Sequence, residues 1–429
     1  MNWLQMMVSR SVRLGTTAVV AVTFIACSSK PQAYSGPYGA QVSAAIPKIE
    51  ATVGLKFKHP PKIEARSKEQ VRTYVMKQFT DAREIRELSG EELAYKRLGL
   101  LPDTLKLQQL LVNLLEEQIV GYYDPATKVL YVVNGSSPDI VGIVIAHELV
   151  HALQDQYISL DSVQKVTGDN DRASAAQAVF EGQAVYVQIA VSLGGNNVAF
   201  NLPGGWERIR EMIRENQSSM PVFAAAPMLV QETLIFPYLS GAEFIRNYME
   251  RRRGSIVYND LPISTEQVLH PSAYFLNRDN PTRVTLGPLI NAKEIYGNDL
   301  GEFETRLLLF QFLKNQDDAV RGAMGWDGDR YAVIDTPKGQ GIVWLTVWDS
   351  ATEAGEYYDL MGQAIGNRFS AKPSTSTPAT KSYSVNGRSI QLTTLEIQGR
   401  PTVLYVDVPA GANLHIVQPG RVQLAPEGK

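Results

Sequence analysis

Apolar residues at 105, 107, 110, 111, 114 and 115 recur at helical spacing and predict an amphipathic helix over Leu105–Ile119, entered from Asp103. Two β-branched and aromatic runs follow, Val120–Tyr123 and Val129–Val133. With Asp124-Pro125-Ala126-Thr127 between them they read as a β-hairpin. Ser137-Pro138-Asp139 then opens a helix in which Ile140–Leu153 is apolar on nearly every side except at His147, Glu148 and His151, the pattern of a buried helix. A second long helix is expected from Arg172 to Leu193. Upstream, Ile49–Phe57 has strand character up to the break at His59-Pro60-Pro61, and Ser67-Lys68-Glu69-Gln70 forms a capping box for a helix to Phe79.

Downstream, Trp206–Arg214, Gly241–Arg253 and Leu300–Lys314 read as helices, and Pro262–Tyr274 as an ordered loop carrying His270-Pro271. The three arginines that end at Arg253 suit a solvated helix C-terminus. Past Gly325-Trp326-Asp327-Gly328-Asp329 the texture changes. Ile342–Trp348 reads as a buried strand, Ser350 caps a helix to Ile365, Ser370–Ser382 is a Ser/Thr/Pro loop, and Ser389–Ile397 and Thr402–Val408 are strands. That β-α-β-β order predicts a small α+β unit packed against a helical body.

Chemistry enters through His147-Glu148-Leu149-Val150-His151. On a helix the two imidazoles lie one turn apart on one face and can chelate one Zn²⁺, with Glu148 at the rim to take a proton from a water on the metal. Polar groups inside an apolar helix need partners, and a metal satisfies both histidines together. The chain has five histidines in 429 residues, so the spacing is informative. Between Arg172 and Glu207 the only charged residue is Glu181, set among Ala173, Ala175, Ala176, Ala178, Gly182 and Ala184. An isolated carboxylate there is costly unless it ligates a metal or pairs with a base such as Arg172. Glu181 is therefore the candidate third ligand.

Composition limits the remaining classes. A net charge of −3 with both signs interspersed gives no electrostatic case for nucleic acid, and no apolar run is long enough to span a bilayer. At the N-terminus Arg10 and Arg13 precede Thr16–Ala26, an apolar run of signal-peptide length. It ends in Phe24-Ile25-Ala26-Cys27, which resembles a bacterial lipobox with phenylalanine in place of the usual leucine. That resemblance implies lipidation of Cys27, the single cysteine, a flexible tether after it, and a protein anchored to the membrane of the bacterial cell envelope. An ordinary signal peptide or a buried thiol at Cys27 is the alternative.

The order of hairpin, H-E-x-x-H helix and glutamate-bearing helix resembles zincin metallopeptidases. His147 through Asp155 is similar to the thermolysin-type gluzincin motif. The resemblance covers roughly residues 105–193 and implies His147, His151 and Glu181 as ligands of one Zn²⁺ per chain, with Glu148 as general base and later acid. It also departs from that pattern: 29 residues separate His151 from Glu181, and Val185 stands where an aspartate follows the ligand glutamate in thermolysin-like enzymes. Asp155, Asp169 and Asp171 are candidates for orienting a ligand histidine. More loosely, Gly121–Pro125, Phe180–Ala184, Ser264–Pro271 and Gly325–Asp329 resemble an uncharacterised family of bacterial envelope proteins.

The expected architecture is α+β, with a mostly helical zincin-like body. Its expected divisions are a signal peptide (1–27), a tether (28–45), the body (46–325, core 105–193) and an α+β C-terminal unit (326–429). Residues 41–100 read equally as a prosegment or as part of the body. The expected activity is hydrolysis of a peptide or protein substrate, with one strand of the 120–133 hairpin as the edge that pairs with it. His270 is the candidate oxyanion donor, with Tyr274 and Tyr238 behind it. The competing class is a non-catalytic zinc-binding envelope lipoprotein on a zincin scaffold; a protein with no metal at all is the third.

Overall fold

A computed structural model describes residues 34, 36–136, 138–163, 168–192, 205–252 and 254–426. The expected signal peptide and lipidation site at Cys27 lie outside these residues. The fold is α+β. Among the described residues no helix is long and apolar enough to cross a membrane.

The first helix, α1 (Gly39–Val53), buries Val42, Ala45 and Ile49. It corrects two expectations. The tether does not extend to residue 45, and Ile49–Val53 is helical because Val42, Ala45 and Ile49, three and four apart, form one apolar face. The strand comes after the proline break instead, as β1 (Lys62–Arg66). Helices α2 (Lys68–Gln78), α3 (Ala82–Leu98) and α4 (Leu107–Gln118) follow, and the Ser67–Gln70 capping box is present with both of its bonds. The hairpin forms as β2 (Gly121–Asp124) and β3 (Val129–Val133). Strand β1 pairs in parallel with the far side of β3, so β3 is central and β2 is an edge. Residues 62–66 thus complete the sheet, and the segment 41–100 is built into the body.

Helix α5 (Pro138–Gln154) carries His147, Glu148 and His151 and packs on β2, β3 and α1. Its N-terminal part is not fully buried as expected, since Ile140 and Ile143 are exposed. After α6 (Leu160–Val163), helix α7 (Asn170–Ser192) crosses both α5 and the long helix Met228–Arg251. The second crossing is made by glycines. A Cβ on Gly182 would overlap the backbone of Gly241, and one on Gly241 would overlap the carbonyl of Ala178. Backbones meet there because neither residue has a side chain.

The segment expected as an ordered loop holds two short helices, Thr265–Leu269 and Pro271–Phe275. Beyond it lies a seven-stranded sheet in the order β5-β6-β7-β11-β10-β9-β8. Its members are β5 (Lys293–Asn298), β6 (Trp326–Thr336), β7 (Gly339–Trp348), β8 (Thr375–Ser376), β9 (Thr380–Val385), β10 (Arg388–Ile397) and β11 (Arg400–Pro409). Strand β5 precedes the expected boundary at 326, and the expected 370–382 loop contributes β8 and part of β9.

The central strands are apolar on both faces. Ile342, Trp344, Tyr331 and Tyr405 join the main core with the helix Ala351–Phe369, while Val343, Leu345, Ile334 and Val406 face a second core closed by Val284, Leu286, Ile416 and Val422. A two-stranded ribbon, β4 (Thr282–Thr285) with β12 (Gln423–Pro426), supplies part of that cover. In Gly325–Asp329, the buried Asp329 accepts from the indoles of Trp326 and Trp344 and from the backbone N–H groups of Leu300 and Gly301, all at 2.9–3.2 Å. That motif is a structural knot between β6, β7 and the helix Gly301–Leu313.

Candidate metal centre

Two helices build the centre. His147 and His151 are one turn apart on α5, and Glu181 reaches them from α7. His147 Nε2 lies 3.2 Å from His151 Nε2 and 3.2 Å from Glu181 Oε2, and His151 Nε2 lies 3.5 Å from that same oxygen. Ligand atoms about 2.0–2.2 Å from a tetrahedral ion are separated from one another by roughly 3.3–3.6 Å. The triangle therefore has the edge lengths of one face of a zinc coordination tetrahedron.

Each imidazole is oriented from behind by an amide. His147 Nδ1 donates to Gln188 Oε1 at 2.9 Å, and His151 Nδ1 donates to Gln154 Oε1 at 2.8 Å. The Gln154 amide cannot turn round, because its Nε2 donates to Phe180 O and to Gln183 Oε1, both at 3.0 Å, and Gln183 Oε1 also accepts from the Tyr258 hydroxyl. With Nδ1 protonated in both rings, both Nε2 lone pairs point into the triangle.

Electrostatics favour one positive charge at its centre. Burial opposes a charge on His151, but Glu181, Glu148 and Gln154 together outweigh it and push its pKa up to about 9. Burial likewise opposes ionisation of Glu181, yet His151 and His147 hold its carboxyl well below the usual carboxylate range. A metal cation would supply what a proton supplies here.

Glu148 sits beside this face with Oε2 accepting from the backbone N–H of Tyr123 at 2.8 Å. The Val133 N–H donates to Val120 O across the hairpin. Antiparallel alternation then turns the backbone groups of Gly121 and Tyr123 away from β3, toward the open edge. Gly121 also lets β2 approach α5, since a Cβ there would lie 2.8 Å from Val144 Cγ1.

Tyr238, on the helix Met228–Arg251, completes the surroundings. Its ring centroid is 6.2 Å from that of His147. Burial and the nearby Glu181 and Glu148 charges raise its pKa well above the ordinary value, so it remains a hydroxyl donor, hydrogen-bonded to Glu181. The Gly182–Gly241 crossing brings it there: Glu181 adjoins one glycine and Tyr238 lies one turn from the other.

His270 is not part of this group. Its Nε2 is 2.8 Å from Oε1 of the buried Glu302, an internal pair that commits the ring elsewhere. Tyr274 is also placed elsewhere, its hydroxyl donating to Asp260 O. None of the three expected aspartates backs a histidine. Asp155 accepts from the Tyr123 hydroxyl at 2.8 Å and from Lys128 at 2.6 Å, bracing the hairpin. Asp169 caps α7 at Arg172 N, and Asp171 accepts from the N–H and hydroxyl of Thr265. Gln154 and Gln188 take the orienting role. Their signal was positional: Gln154 is three residues after His151, and Gln188 is two turns after Glu181 on the same face.

A family model described as a domain of unknown function (DUF8575) matches residues 290–417, the stretch that contains all seven strands of the large sheet and none of the metal-centre residues. No curated protein and no solved structure matches the chain.

Proposed function

We propose that the chain is a zinc-dependent peptidase of the zincin class, holding one Zn²⁺ through His147, His151 and Glu181 and hydrolysing a peptide or protein substrate. The observation that carries this reading is the 3.2–3.5 Å ligand triangle with Glu148 at its edge. When bound, zinc supplies Lewis acidity at a position left open to solvent and substrate, lowering the pKa of water and polarising a carbonyl.

The residues of the chain supply the rest. Tyr123 N–H holds Oε2 of Glu148, which leaves Oε1 to accept the proton of the attacking water and pass it to the departing amine. The Tyr238 hydroxyl is the donor for the developing oxyanion, exchanging Glu181 for the substrate oxygen. An extended substrate adds as a strand to the outward N–H and C=O of Gly121 and the outward C=O of Tyr123, whose N–H stays with Glu148. By the same proposal Cys27 carries lipid and holds the protein at the bacterial cell envelope, which loss of lipid labelling in Cys27→Ser would test.

The decisive experiment is Glu148→Gln, with zinc measured by elemental analysis and cleavage of a peptide library as readout. The variant is expected to keep stoichiometric zinc and lose hydrolysis; retained cleavage would overturn the mechanism. The non-catalytic zinc-binding scaffold draws support from one observation: both histidines are backed by neutral amides and buried Val185 replaces a carboxylate. Stoichiometric zinc with no cleavage by the wild type would establish that reading instead.

A further inference from the structure

A second group of potential ligands lies where the helical body meets the seven-stranded sheet. Glu266 comes from the helix Thr265–Leu269, Asp279 from the turn after Pro271–Phe275, and Asp349 from the end of β7. One carboxylate oxygen of each lies within 4.8 Å of the others. Glu266 is buried, Asp279 half-buried and Asp349 exposed, so the cluster opens to solvent on one side.

Three like charges at this range repel unless something positive stands between them. The neighbouring arginine, Arg400, acts on Asp279 and Asp349 from its pairing with Asp327, one positive charge against three negative ones. A separate observation points the same way. Glu302 is fully buried; its Oε1 accepts from His270, but its Oε2 has no hydrogen-bond partner, and its charge is the strongest acting on Glu266. On the Asp349 side, Glu353 Oε2 is also buried without a hydrogen-bond partner.

We infer that Glu266, Asp279 and Asp349 form a cation site distinct from the histidine centre, selective for a hard divalent ion of the calcium type, which ties the helical body to the sheet. The donors are all oxygen, which excludes a preference for thiophilic metals. They come from three separate segments with one open side, which suits the irregular, partly hydrated shell of Ca²⁺ at 2.3–2.6 Å better than the strict octahedron of Mg²⁺. Through Thr265 this junction also contacts Asp171 at the start of α7, the helix that carries Glu181.

The test uses full-length protein freed of calcium with EGTA, its zinc content monitored, titrated with Ca²⁺ by calorimetry and melted with and without Ca²⁺. The wild type is expected to bind one Ca²⁺ per chain at this site and to melt higher with it. Asp349→Asn should bind about tenfold or more weakly, melt higher than wild type in EGTA because repulsion is relieved, and lose most of its Ca²⁺-dependent shift. Asp335→Asn, an exposed strand position, should respond like wild type. Absence of Ca²⁺ uptake by the wild type, or unchanged Ca²⁺ affinity in Asp349→Asn, would overturn the site. A Ca²⁺ response abolished by His147→Ala would assign the ion to the other centre and do the same, and tighter binding of Mg²⁺ than Ca²⁺ would overturn the calcium assignment.

Discussion

The two ligand clusters of this molecule are supported in opposite ways. In the histidine centre every ring has an acceptor behind it before any ligand arrives, and the one carboxylate is balanced by two imidazoles. At the junction, carboxylates face carboxylates, and the nearest arginine is engaged by Asp327. The difference separates a preorganised site, whose geometry the helix packing fixes, from a frustrated one that an ion or protons must relieve.

The sharpest way to break the comparison is at Glu148. If the helical centre is preorganised for chemistry, Glu148→Gln lowers the cleavage rate by about 10²–10⁴-fold or more while zinc stoichiometry stays the same. Next, the supporting amides should matter to the metal. Gln188→Ala and Gln154→Ala are expected to weaken zinc binding by about 10–100-fold, measured by competition with a chelating dye. Unchanged affinity in both would show that the rings are held by the helix alone. A third substitution tests the packing behind the geometry. Gly182→Ala forces a methyl against the Gly241 backbone and should destabilise the fold by about 1–3 kcal/mol or more, read by denaturant unfolding.

The smallest effect isolates a buried carboxylate that lies in neither cluster. Glu304 accepts from Tyr95 and Asn170, and burial raises its pKa to about 8. Its folded pKa exceeds the unfolded one, so its contribution is fully present below pH ~4.5 and is lost as pH rises through about 8. Glu304→Gln removes that dependence. Its melting temperature relative to wild type should therefore climb between pH 5 and pH 8 and level off above; a pH-independent difference would count against a protonated Glu304.

What was legible in the sequence was mostly local. The i, i+4 histidines, the solitary Glu181 in its alanine-rich helix and the Asp-Pro hairpin each depend on neighbours within a turn or two. So do β7, β10 and the capped helix after Ser350. Glutamines carry no charge to make them stand out, so Gln154 and Gln188 were not legible as the groups behind the rings. Tyr238 does not stand out above His270 in the sequence, because its place depends on a glycine crossing between helices distant in sequence. The strand at 62–66 was hidden because Lys62, Glu64 and Arg66 read as surface, while the helical apolar face of α1 resembled a short strand at its end. The sheet boundary is obscured in the sequence because β5 is polar and mostly exposed.

The open edge of β2 has a further consequence, for self-association. Unpaired backbone groups on an edge strand are templates for another chain, and proteins commonly block them. Here the block is Glu148, whose carboxylate occupies the outward N–H of Tyr123. A second molecule seeking to pair along β2 would have to displace the Glu148 side chain from its hydrogen bond to Tyr123. Under the proposed function a substrate strand pairs beside this block and not through it, so the group proposed to perform proton transfer also limits which chains dock there.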